Sequence, residues 1–84
     1  MENFRVIIVE DVPLELKGTE GIFRNEIPEA EIIGTAESEV AYWKLIKQNL
    51  PDLVLLDLGL GGSTTVGVEI CRQTKQTYPH VKVL

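Results

Sequence analysis

The chain has 84 residues, 13 acidic against 8 basic, and a formal net charge of −5. That length allows one small domain, in which folding buries roughly 60–65% of the extended chain's surface and every core residue counts. Scattered basic residues, no apolar run near the roughly 20 residues of a membrane span, a Met1-to-Arg5 opening unlike a signal peptide and a lone Cys71 argue against nucleic-acid binding, membrane insertion, secretion and an internal disulfide.

Phe4–Val9 (F-R-V-I-I-V) is a β-branched apolar run closed by two acids. A continuous run without alternation suits a parallel strand covered on both faces. Pro13 stands where the first turn of a helix tolerates proline. Leu14, Gly18, Ile22 and Phe23 follow at helical spacing and are expected to face inward. Gly18 and Gly21 weaken this helix by about 1 kcal/mol each relative to alanine, so tertiary packing must hold it. Pro28 marks the loop beyond, and residues 31–35 read as a shorter second strand.

Ser38 is the expected N-cap of a helix over residues 39–50, with Ala41, Tyr42, Leu45 and Ile46 on its buried side. Pro51 ends it. Residues 52–57 (D-L-V-L-L-D) are the strongest strand signal, again apolar and again closed by an acid. Residues 59–65 form a loop rich in glycine and hydroxyls, in which Ser63 and Thr64 are expected to cap or turn. This loop lacks the lysine of a P-loop and the spacing of GxGxxG, which argues against a nucleotide site. A third helix is expected over residues 66–76, with Val66, Ile70 and Cys71 inward, and a fourth strand begins at residues 81–84. Tyr42 and Trp43 read as packing residues, and His80 as a solvated loop residue. The order β-α-β-α-β-α-β implies right-handed parallel connections and an open α/β sheet.

Glu10 and Asp11 close the first strand and Asp57 closes the third. Ligands of open parallel sheets bind outside the carboxyl ends of the strands. With strands one and three as neighbours, the three acids meet in one cleft and repel unless a cation compensates them. A hard divalent ion, Mg²⁺ first, is the natural companion. Such a centre beside helix N-termini suits phosphoryl chemistry. The structural alternative is that Asp11 caps the first helix and Asp57 starts a turn.

V-E-D-V-P at residues 9–13, followed by P-D-L-V-L-L-D-L at residues 51–58, resembles the receiver domains of bacterial two-component response regulators. The likeness is closest to the branch that carries a C-terminal helix-turn-helix output domain. It runs through I-I-G-T-A-E-S at residues 32–38 and the third helix, and so covers the chain. The resemblance implies a flavodoxin-like open parallel sheet with helices on both faces, and residues 1–84 as the N-terminal two-thirds of a receiver with no output domain. It implies Asp57 as phosphoacceptor, and Mg²⁺ held by Glu10, Asp11, Asp57 and the backbone carbonyl of Gly59. It also implies a histidine kinase or phosphotransfer protein as partner and a signalling domain rather than an enzyme; the opening residues and the lone Cys71 favour a reducing cytoplasm as setting.

The family's pattern has proline four residues after the phosphoacceptor and glycine at eight. Here Gly61 stands at the first place and Gly67 lies two residues late, so the segment beside the site looks like a two-residue insertion. The family's Thr or Ser after the fourth strand and Lys after the fifth fall outside these residues. A fragment or natural truncation is therefore expected, with the family's switch unable to operate as usual. An open sheet edge would then drive a homodimer, through that edge or by strand exchange. The competing function is a protein-interaction or dimerisation module without phosphorylation. An aspartate-nucleophile phosphatase is disfavoured, because Gly59 stands where D-x-D would place its second acid.

Overall fold

The computed structural model describes residues 3–62 and 64–84. The capping or turn role expected of Ser63 lies outside the described residues. The elements run β1 (Phe4–Val9), α1 (Pro13–Glu26), β2 (Ala30–Ala36), α2 (Glu39–Gln48), β3 (Leu53–Leu56), a 3-10 turn (Leu60–Gly62), α3 (Thr64–Thr77) and β4 (Lys82–Val83). The four strands form one parallel sheet in the order β2-β1-β3-β4. The alternation of strands and helices implied an open parallel sheet and the resemblance implied a flavodoxin-like one; this arrangement is both. None of the described helices is long and apolar enough to cross a membrane.

Strand β1 is central, and the absence of alternation in its sequence has a direct cause. Successive side chains point to opposite faces, and both faces are covered. Ile7 and Val9 enter a core with Tyr42 and Ile46 of α2, Val54 and Leu56 of β3, Ile70 of α3, and Val81. Val6 and Ile8 enter a smaller core under α1, with Phe23 buried and Leu16 and Ile27 packed around it. All four β1 residues are essentially inaccessible. At roughly 25 cal/mol per Å² of apolar area, residues of this size contribute about 1.5–3 kcal/mol each.

The inward face of α1 differs from the sequence expectation. Leu14 is 80% and Ile22 59% exposed, and a side chain at Gly18 would meet nothing within 4 Å. Phe23 is buried as expected, but its companions are Leu16 and Ile27, which fall within about 40° of one another and of Phe23 on a helical wheel. Leu14 and Ile22 lie on roughly the opposite side. The side of α1 that carries Leu16 and Phe23 is the one laid over Val6 and Ile8.

The expected cap of α2 is present: the Ala41 N–H donates to Ser38 Oγ at 3.2 Å. The helix stops at Gln48, short of the expected end, and Leu50 beyond it is half-exposed. A bond invisible in the sequence ties α2 to α3. The hydroxyls of Tyr42 and Thr74 lie 2.7 Å apart, both fully buried. Burial pushes the Tyr42 hydroxyl above its ordinary pKa, against the opposing effect of its bond to Thr74, which keeps it protonated and able to share that bond. On α3, Ile70 is buried as expected, Val66 and Cys71 are half-buried, and Thr74 and Gly67 are the inward residues that the pattern did not reveal.

Gly67 packs against the backbone that follows β3. A Cβ placed there would stand 2.9 Å from Leu58 Cα and 3.0 Å from its carbonyl oxygen. Backbone cannot yield as a flexible side chain can, so Gly67→Ala is expected to destabilise the fold by about 1–3 kcal/mol. Gly18→Ala, in open space on α1, is expected to stabilise it by about 0.5–1 kcal/mol. Urea unfolding of the two variants checks that their effects have opposite signs.

Candidate functional site

The sheet ladder runs one bond past the strand ends and thereby builds the site. The Asp57 N–H donates to the Val9 carbonyl at 3.0 Å, and the Glu10 N–H donates to the Ala36 carbonyl at 2.9 Å. These bonds set the residue after β3 beside the residues after β1. Glu10, Asp11 and Asp57, all half-buried, each offer a carboxylate oxygen, and the three oxygens lie within 4.8 Å of one another. The three acids singled out in the sequence are therefore brought together at one rim.

Each carboxylate accepts one backbone N–H. Val12 donates to Glu10 Oε2 at 3.1 Å, Gly59 donates to Asp57 Oδ1 at 3.0 Å, and Gly61 donates to Asp11 Oδ2 at 3.0 Å. The alternative role for Asp11 as a helix cap is not realised, since Val12 is the N-cap residue of α1 and no side chain bonds there. Asp57 does hold a turn, as its structural reading anticipated, and it belongs to the acidic cluster as well. The Gly59 carbonyl accepts the Gly62 N–H at 2.9 Å, which leaves it a second lone pair.

Among the described residues, no basic side chain pairs with the cluster. The ion pairs found among the described residues, Arg24–Glu20 and Arg72–Glu69, both lie within helices and involve none of these acids. Burial raises the Glu10 carboxyl above its ordinary 4.5, helped by the neighbouring charges of Asp57 and Glu15 and a side-chain hydrogen bond with Asp57, and opposed by the Val12 amide. The donor set is all oxygen and anionic, which fits a hard divalent cation and suits soft metals poorly.

A cavity of about 120 Å³ adjoins the cluster, lined by Glu10, Asp11, Pro13, Leu16, Thr35 and Glu37. Glu37 was missed in the sequence, because β2 runs to Ala36, one residue past its expected end. It follows the last residue of β2 just as Glu10 follows β1 and Asp57 follows β3. The Gly61 amide was also missed, because a backbone donor carries no side-chain signature. His80 is exposed in the turn before β4. With all strands parallel, that is the rim opposite the acids.

The family model for the response regulator receiver domain matches residues 6–84. Transcriptional regulatory protein DegU of Brevibacillus brevis is 32% identical over 82 residues, a stretch that covers 98% of this chain and 34% of DegU. Transcriptional regulatory protein ComA of Bacillus subtilis is 28% identical over 80 residues, covering 95% of this chain and 37% of ComA. The chain thus spans about a third of the length of these relatives. In fold it is similar to the isolated REC domain of RcsB from Salmonella enterica serovar Typhimurium, solved in the presence of phosphomimetic BeF3⁻. The TM-score is 0.87 at 22% identity, over 98% of this chain and 59% of that one. On the family match and the shared fold, the chain belongs to the response-regulator receiver domains of two-component systems.

Proposed function

We propose that residues 1–84 form the phosphoacceptor part of a receiver, in which Asp57 takes a phosphoryl group from a histidine kinase or phosphotransfer protein. The observation that carries this reading is the meeting of the Glu10, Asp11 and Asp57 carboxylates within 4.8 Å at the strand ends. In this proposal those three side chains and the Gly59 carbonyl hold Mg²⁺. The ion, when bound, neutralises the charge that builds up on the transferred group.

The chain's own residues do the rest. Asp57 is fixed by its N–H on Val9 and by the Gly59 N–H on Oδ1. Its remaining carboxylate oxygen attacks phosphorus, the phosphorus–nitrogen bond of the donor phosphohistidine breaks, and the released imidazole nitrogen takes up a proton. The product is an acyl phosphate on Asp57, and its later hydrolysis restores the carboxylate. Pre-placing the nucleophile on a rigid strand end lowers the entropic part of the barrier. The chain carries the signal and turns over no separate substrate, so it functions as a signalling domain and not as an enzyme in its own right.

A second reading is an interaction module that dimerises. Among the described residues, Leu14 and Ile22 of α1 are exposed apolar side chains, the kind of surface that a partner covers. Sedimentation at high concentration tests it, with a dimer supporting this reading and a monomer opposing it.

Acetyl phosphate with Mg²⁺ is expected to add one phosphoryl group to the wild-type chain and none to Asp57→Asn, read by intact mass. Equal labelling of both proteins, or labelling of neither, would defeat the phosphoacceptor assignment. A pH effect accompanies it. Because folding raises the Glu10 pKa above 4.5, the folded chain binds that proton more tightly than the unfolded one. Stability from this group therefore falls as pH rises from the ordinary value through the raised one. Asp57→Asn removes a like charge beside Glu10, so without divalent ions the variant is expected to be more stable at pH 7, by up to about 1 kcal/mol. Thermal unfolding across pH 4 to 8 measures the difference.

A further inference from the structure

Two of the three amides that hold the acidic cluster come from the acid's own turn. Val12 follows Glu10 and Gly59 follows Asp57, each by two residues. The third reaches across 50 residues of sequence, from Gly61 in the loop after β3 to Asp11 in the loop after β1. Asp11 has no helix-capping bond to fix its orientation. The loop is built to deliver this donor. Leu60 is buried in the core, Gly62 closes the turn onto the Gly59 carbonyl, and Gly61 itself has a φ of 69°, a conformation that side-chain-bearing residues rarely adopt.

We propose that the backbone amide of Gly61 is a positioning group for Asp11 in cation binding. It grips one carboxylate oxygen and leaves the rest of the group to the ion. An ionised carboxylate has about four lone-pair sites, so one donated hydrogen bond and a metal contact are compatible. Outer partners of this kind orient a ligand before the metal arrives, and their loss weakens binding about 10–100-fold. Gly61 makes no contact with the ion. The segment that departs from the family's pattern thereby supplies a fixed donor to the metal site. The inference rests on the acidic cluster being a cation site.

The test replaces the N–H by an ester oxygen and keeps every side chain. A chemically assembled chain with glycolic acid in place of Gly61 has an ester where the amide was. Gly61→Asn keeps the N–H and tolerates positive φ. Calorimetric titration with Mg²⁺ is expected to show binding at least tenfold weaker in the ester chain, and within threefold of wild type in Gly61→Asn. Circular dichroism establishes that both are folded. In the wild type, the Gly61 amide proton is expected to stay protected from solvent exchange at saturating Mg²⁺. Ester binding within threefold of wild type, equal loss in both variants, or loss of Gly61 protection when Mg²⁺ binds would overturn the positioning role. A wild-type chain that takes up no Mg²⁺ overturns the cation site itself, a result distinct from the other three.

Discussion

The bond from the Asp57 N–H to the Val9 carbonyl is the constraint on which the site depends. It exists because β3 pairs directly with β1, and that pairing exists because β1 is apolar on both faces and must sit in the middle of the sheet. Every consequence downstream is electrostatic. Chain geometry forces three carboxylates into a space where their mutual repulsion is unfavourable, and among the described residues no basic side chain pairs with them. A cation placed among them would relieve that repulsion.

The protein meets the cost of this crowding with backbone rather than side chains. One amide on each carboxylate offsets part of the desolvation without neutralising the charge, so the acids remain available to an ion. Glu10, whose amide partner is outweighed by burial and by Asp57, is the residue on which the strain registers as a raised pKa. The loop after β3 contributes twice, through Gly59 to Asp57 and through Gly61 to Asp11. Gly67 allows α3 to start close behind that loop, because its missing Cβ leaves room for the Leu58 backbone.

Much of this was legible in the sequence, for identifiable reasons. Unbroken apolar runs closed by acids marked the strands, and their alternation with helices implied parallel pairing; the convergence of Glu10, Asp11 and Asp57 was conditional on β1 and β3 being neighbours, a long-range pairing that the structure has. The orientation of α1 was legible only in part: Phe23 is buried as its spacing implied, but Leu14 and Ile22 are exposed and Leu16 and Ile27 take their place, packed with Phe23 against Val6 and Ile8 from a distant segment. The Tyr42–Thr74 bond and the Gly61–Asp11 bond join residues far apart in sequence and leave no local trace. Glu37 follows a strand end directly only because β2 runs to Ala36, one residue past the end read from the sequence.

Convergence of the three carboxylates on one hard cation is tested most directly with Mn²⁺, which shares the oxygen preference of Mg²⁺ and broadens nuclear resonances near it. Substoichiometric Mn²⁺ is expected to bleach the amide signals of Val12, Gly59 and Gly61 first and to spare His80 and Lys82 at the opposite rim. Uniform bleaching over the acidic surface, or bleaching centred on the helical acids Glu20 and Glu69, would contradict a shared site at the strand ends.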